Sequence, residues 1–512
     1  MESKSTEENN LIGPKQLEID ATMPQCLDNQ YVSDNTMQYM LQNEANYDDS
    51  SVKELRQTEV HNEFIRSLVY SSQVVINRAF LKNNEFLYSN YSSENLKKTS
   101  DFAELIRTSA IVPYLFTEKS LTDKLEFDVR KPGDRAIKSL LEQTGHEIPC
   151  VRLDVDDNTN QLEAAKIESK FGEYLAGLKN KSELLINAMS SEVFDRSLET
   201  EEWNLFLKHI DGLSKYAHDF GRGLKRNHVY SKWFIEENTD VSEGLFKKPP
   251  ANLPYLYQLK KIVDLRYNSN LPDALGIYTF TPVGLPSRVA LQDFSESSIS
   301  SRDIEKFVDQ QLTKIKRIFM ADSQKAMNLP LLKDLSISDV VDIRNNIDEW
   351  SEFKESRQKI LSDPLNMLNN IDDFQQSFDN FHLALSGWYN KKYQRKKTEK
   401  FYSSFVTVAL QIAGQTILLG VDFKDNQLAQ LVTHSGVAII PEKVKGYAVK
   451  LLINVIDIGK MKLDTNRSHS YELLQSNQEL SREDVIQLIN SIKSIEADKI
   501  ESSGPIADQG KK

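Results

Sequence analysis

The chain has 512 residues, 39% of them hydrophobic and 27% charged, with a net charge of −12. Single cores stop growing near roughly 250–300 residues, so this length calls for more than one domain. Two cysteines, Cys26 and Cys150, exclude a disulfide framework or a cysteine zinc cluster and point to a reducing, cytoplasmic setting.

Charge is unevenly placed. Residues 1–50 hold ten acids and two bases, which leaves about −4 for all the rest. A nearly balanced body argues neither for nor against nucleic acid. Residues 1–55 are acidic, rich in Asn, Gln and Ser and poor in large apolar groups, so the composition predicts a disordered tail. Met1-Glu2-Ser3-Lys4 leads into acids rather than an apolar stretch, so no secretory signal is expected.

From Glu59 to Lys82, Phe64, Leu68, Val75, Ile76, Ala79 and Phe80 recur at helical spacing and predict one long helix. A second is expected from Leu105 to Tyr114, ending near Pro113. Residues 125–155 read as a small βαβ-like unit. Leu125–Val129 is its first strand, Ala136, Ile137, Leu140 and Leu141 mark its helix, and Cys150–Val155 is its second strand. Two further helical stripes follow, through Phe171 and Leu175 and through Phe206, Ile210 and Leu213. These features group as a helical domain over 56–248. The stretch 249–298 contains six prolines by residue 286 and reads as an irregular connector with a helical turn or two near Leu259–Leu265.

Residues 299–400 read as a helical bundle. Ser300 with Asp303 and Ser336 with Asp339 both fit capping boxes, each preceded by an apolar staple residue. The second box opens a helix carrying Val340, Ile343, Ile347, Trp350 and Phe353. After Pro364, the residues Met367, Ile371, Phe374, Phe378, Phe381, Leu385 and Trp388 alternate by four and three, a coiled-coil seam expected to pair antiparallel with the helix before it. Residues 401–500 form an apolar C-terminal segment, of mixed α/β character over 401–458, with a final helix starting at the Ser481/Asp484 cap. Residues 501–512 read as a second disordered tail. The expected class is therefore mainly α, with multi-helix bundle domains, the small α/β unit near 125–155 and the mixed segment.

No recognised catalytic motif occurs, and neither a GxxxxGK[ST] loop nor a GxGxxG turn is present. The acids Asp154, Asp156 and Asp157 fail an EF-hand test, because the loop would need glycine at Thr159 and glutamate at Ala165. Asp154 and Asp156, with Asp128 ending a partner strand, are weak candidates for holding a divalent metal at a strand's carboxyl end. Gly221-Arg222-Gly223 with Lys225 and Arg226 offers amides and cations to a phosphate, yet lacks a preceding strand. The eight histidines show no metal-binding spacing. Lys391, Lys392, Arg395, Lys396, Lys397 and Lys400 put six bases within ten residues, a candidate nucleic-acid contact or a solvated helix end. Residues 401–421 carry no charge over the length of a membrane span, but include six Ser, Thr or Gln side chains.

Four functions fit this sequence. The first is an intracellular helical interaction or scaffold protein, from a bacterial or mobile-element genome, meeting a partner or a second copy through the seam of Phe374, Phe378, Phe381 and Trp388. The others are a nucleic-acid-associated factor using the 391–400 run, a metal-dependent enzyme at 154–157, and a membrane-acting defence or toxin-like effector inserting 401–421. The sequence does not identify a cofactor.

Overall fold

In the computed structural model, the described residues are 10–28, 49–91, 100–116, 130–144, 148–156, 162–181, 199–221, 223–237, 255–280, 330–363 and 367–393, with a few isolated positions between them. They are mainly helical, 74% of them, around a small six-stranded parallel sheet. By compactness the chain forms two units. The first takes 1–295, 324–355 and 380–401, and the second takes 296–323, 356–379 and 402–512.

The strands are β1 (Leu11–Ile12), β2 (Thr22–Pro24), β3 (Val74–Asn77), β4 (Ile111–Tyr114), β5 (Cys150–Val151) and β6 (Tyr278–Phe280), in the order β1-β5-β4-β3-β2-β6. Every pairing is parallel, with Met23 opposite Val75 by register, Val75 opposite Val112, and Tyr114 opposite Val151. Parallel strands require crossover connections, and helices supply them. The helix α1 (Asp49–Tyr70) leads from β2 to β3. The short helices α2 (Arg78–Asn83) and α3 (Glu85–Tyr91) follow β3, and α4 (Asp101–Arg107) leads into β4. From β4 to β5 the chain passes α5 (Pro132–Thr144). A longer excursion through α6 (Leu162–Gly177), α7 (Thr200–Phe220), a π-helical stretch (Val229–Glu237) and α8 (Leu256–Leu275) returns it to β6.

Both faces of the sheet are covered. Met23, Val75, Val112, Tyr114 and Val151 share one face and pack with Leu271 and Leu275 of α8 and with Leu17 and Leu153. The other face receives α1, where Phe64, Ile65 and Leu68 are fully buried and Thr22 Oγ1 lies 2.7 Å from Ser71 Oγ. At the amino end of β3, the guanidinium of Arg344 donates to the carbonyls of Leu68, Ser71 and Ser72 at 2.7–2.8 Å, a cation on the carboxyl terminus of α1.

Arg344 belongs to α9 (Ile337–Asn346), which starts at the expected capping box. Ser336 N donates to Asp339 Oδ2 at 2.6 Å, and Asp339 N donates back to Ser336 Oγ at 3.2 Å. The helix stops at Ile347, and α10 (Asp348–Ser362) begins there instead of continuing through Phe353. Then comes α11 (Met367–Tyr393). The expected antiparallel pairing is present. In the first unit Phe353 stacks on Phe381 with ring centroids 5.4 Å apart. In the second, Ser356 Oγ lies 2.5 Å from Ser377 Oγ, Lys359 pairs with Asp373 at 3.4 Å, and Phe319 meets Phe374 edge-on.

Five expectations are corrected. The tail expected over 1–55 supplies β1, β2 and the start of α1. The long helix 59–82 ends at Tyr70, and Val75 and Ile76 are strand. The helix 105–114 ends at Arg107, and Ile111–Tyr114 is the strand β4. The connector 249–298 contains the 20-residue helix α8 and the strand β6. The βαβ unit keeps its helix, but its strand Cys150–Val151 pairs with β1 and β4. Its other strand, 125–129, lies outside the described residues, as do 401–500, 501–512 and the Ser300/Asp303 capping box.

The contact between α5 and α2 gives a direct test. A Cβ at Gly133 would stand 1.9 Å from the Lys82 carbonyl oxygen, beside the 2.6 Å ion pair of Lys82 with Asp134. Backbone cannot yield cheaply there, so Gly133→Ala is expected to cost about 1–3 kcal/mol in urea unfolding, against the usual helix-favouring gain of that substitution.

Candidate functional site

The chain runs from β2 to β3 on one side, and later returns to β6 on the other side of β2. The sheet order therefore reverses between β2 and β6. In open parallel sheets, ligands collect at the carboxyl ends of the strands flanking such a reversal.

At the carboxyl end of β2, the 3₁₀ turn Gln25–Leu27 delivers Asp28, which is 3% exposed. Gly221 and Gly223, at φ +73° and +87°, take the chain out of α7 through left-handed positions and lead it to Arg226. Arg226 grips Asp28 in a bidentate pair, with Nη2 to Oδ1 at 3.1 Å and Nη1 on Oδ2, and Nη1 lies 3.5 Å from Asp264 Oδ1. Asp264 stands one turn beyond Lys260 on α8, and Lys260 Nζ donates to its Oδ2. The N-terminal half of α8 reaches the carboxyl edge because α8 runs antiparallel to the strand it feeds. Arg226 also lies over the Tyr267 ring at 4.2 Å, and Lys260 over Tyr230 at 5.2 Å. Tyr267, whose ring Arg226 lies over, is 41% exposed.

Burial disfavours both charges of the Lys260–Asp264 pair. Desolvation, aided by Arg226, lowers Lys260 to about 7, and desolvation also raises Asp264 well above the carboxylate range. The groups acting on this pair are Arg226, Arg56 and Asp28, whose charges sum to +1. The pair itself is neutral in sum whichever member holds the proton. Glu59 acts on Arg56 from outside this set. Three basic side chains, Arg56, Arg226 and Lys260, are thus set against the carboxylates of Asp28, Asp264 and Glu59 near the carboxyl edge of the sheet.

A second polar group lies at the ends of β3, β4 and β5. Arg78 pairs with Glu118 at 2.8 Å and donates to the Leu121 carbonyl, while Arg152 donates to the Glu118 carbonyl at 2.9 Å and to Asp154. Of the metal candidates, Asp154 is thus engaged by Arg152, and Asp156 accepts from the Lys15 amide at 2.6 Å. Asp128 is outside the described residues, and no cluster of three or more metal-ligating side chains occurs among them. Of the basic run, Lys392 pairs with Asp339 at 2.6 Å and Asp342 at 3.4 Å. Lys391 is exposed on the same turn, and Arg395, Lys396, Lys397 and Lys400 are not described.

The seam residues Phe374, Phe378 and Phe381 are fully buried within the chain, and Trp388 is half-buried with Nε1 donating to Asp342 at 3.0 Å. No helix among the described residues is long and apolar enough to cross a membrane, and 401–421 is not among them. Both cysteines are buried, which raises their thiols, Cys150 to about 12.

Sequence reasoning weighed Arg226 with its glycines as a phosphate cradle and set it aside as a loop, and it did not single out Asp28, Arg56, Lys260 or Asp264. One signal was present. Lys260 and Asp264 sit four apart among Leu259, Ile262 and Val263, which places charge against an apolar helix side. No protein-family model, curated protein sequence or solved structure matches the chain.

Proposed function

We propose that the protein binds a small phosphate-bearing ligand at the carboxyl edge of the sheet, between β2 and β6, with Arg56, Arg226 and Lys260 receiving the phosphate. The observation that carries this reading is the gathering of basic side chains, Arg226 and Lys260 buried and positioned by Asp28 and Asp264, near the point where the strand order reverses. Asp28 and Asp264 orient the cations, and the Arg226 guanidinium, with five N–H groups, keeps donors beyond those given to Asp28 for phosphate oxygens. The seam of Phe374, Phe378 and Phe381 is covered inside the chain, so it does not favour a docking function.

Calorimetry with ribose 5-phosphate and with ribose tests the reading. The phosphate ester is expected to bind and the neutral sugar not. Arg56→Met is expected to weaken phosphate binding about tenfold, as befits loss of one charge-assisted contact, while Arg56 is only half-buried and the fold survives. Absence of binding by ribose 5-phosphate at millimolar concentration and low salt overturns it.

A further inference from the structure

We infer that the ligand is an adenine nucleotide, with the adenine edge read by the side-chain amide of Gln25. This rests on the phosphate-site reading above and names the rest of the ligand. Gln25 is the first residue beyond β2, 2% exposed, and neither its Oε1 nor its Nε2 meets a hydrogen-bond partner among the described residues. Buried polar atoms are nearly always paired, so an amide with both atoms unpaired marks a place where a partner is supplied from outside. The location fits the same site. Gln25 and Asp28 open and close one 3₁₀ turn, with Asp28 N donating to Gln25 O at 3.1 Å, and residues three apart in such a turn lie on one side. Asp28 is the residue that holds Arg226, so the amide leaves the turn on the same side as the carboxylate that positions that cation.

The chemistry of a paired acceptor and donor is specific. Gln Oε1 accepts from an exocyclic amine while Nε2 donates to the adjacent ring nitrogen, a bidentate match to adenine that guanine and uracil lack and that, among the common bases, cytosine alone shares. A phosphate or a carboxylate would leave Oε1 facing another acceptor. A single water satisfies one atom well and the pair poorly. The Gln25 backbone is anchored on both sides, by Pro24 paired with Phe280 of β6 and by Cys26 Sγ directed at the Val60 carbonyl. The amide is therefore presented from a fixed turn, which favours discrimination.

Binding of AMP and of ribose 5-phosphate is compared by calorimetry in the full chain and in Gln25→Met. In the wild type, AMP is expected to bind at least about tenfold tighter than ribose 5-phosphate, two hydrogen bonds being made by the base. In Gln25→Met that advantage disappears and ribose 5-phosphate is held as before. The variant is also expected to unfold at the same temperature as the wild type or higher, because an unpaired amide is exchanged for an apolar group of similar volume. Equal affinities in the wild type, an AMP advantage that survives in Gln25→Met, or a lower unfolding temperature of the variant each overturn the role of Gln25 and leave the phosphate site standing. Failure of both compounds to bind removes the site reading and this inference together.

Discussion

Replacing Arg226 with methionine is expected to lower the free energy of unfolding by about 3–5 kcal/mol, the larger of two effects expected within one cluster. Asp28 is 3% exposed and its two oxygens face the two terminal nitrogens of Arg226. Removing the guanidinium leaves a buried carboxylate short of its bidentate partner and takes from Asp264 its second cation, the one beyond Lys260. Lys260→Met is expected to cost under about 1.5 kcal/mol, since burial already brings Lys260 to about 7 and its partner Asp264 far up, so the neutral pair loses little. Urea unfolding at pH 7 separates the two. Equal losses would mean that Lys260 carries as much structural load as Arg226, and the division into a holding pair and a soft pair would fail.

That asymmetry bears on function. The Asp28–Arg226 pair ties the turn after β2 to the segment after α7, two stretches 198 residues apart. The Lys260–Asp264 pair lies within one helix, and it reaches the segment after α7 through the longer 3.5 Å contact of Asp264 with Arg226 and the Tyr230 ring. A fold needing only the tie would gain from an apolar pair at 260 and 264, because isolated buried ion pairs contribute little net stability. Their presence at the reversal of strand order is what a ligand-facing role accounts for.

Most helices were legible in the sequence, and of the sheet only β5 was. The stripes through Phe206, Ile210 and Leu213 and through Phe374 and Phe378 are long and periodic, and each is buried as expected. The strands are two to four residues long, and nearly all of their residues are buried on both sides, so none shows period-two alternation. Val75 and Ile76 continue the spacing of α1 by coincidence, and only the Ser71-Ser72-Gln73 break separates helix from strand. Pro113 misled in the same way, since proline argues against a central strand. Leu115 donates to Val151, so alternation turns position 113 toward β5 at a level where pairing of β5 has not begun, and no ladder hydrogen bond is lost. The site was hidden because its charges come from four stretches that only the sheet order brings together.

His382 is expected to make the protein lose stability in acid. Its ring is 6% exposed, with Nε2 2.8 Å from Tyr70 Oη and the Tyr70 and Phe381 rings beside it. Desolvation lowers its pKa to about 3. In the unfolded chain it titrates near 6.5, so between about 6.5 and 3 the unfolded state binds a proton that the folded state refuses. Stability is therefore full above pH 6.5 and falls as pH is lowered, by roughly 3–5 kcal/mol over the whole window and about 2–3 kcal/mol by pH 4.5. Other carboxylates titrate across the same range, so the difference between wild type and His382→Gln isolates this ring. Glutamine keeps a hydrogen-bonding group for Tyr70 and carries no titrating proton. Urea unfolding of both at pH 7.5 and 4.5 should show the wild type losing about 2–3 kcal/mol more than the variant, whereas parallel losses would mean that the ring accepts its proton without penalty. The effect concerns one joint of the molecule. Tyr70 ends α1 immediately before β3, and its ring packs edge-on against Phe353 of α10 and Phe381 of α11. A proton forced onto His382 opposes the contact that seats this part of α11 on the end of α1, so acid should loosen that seat before it reaches the sheet.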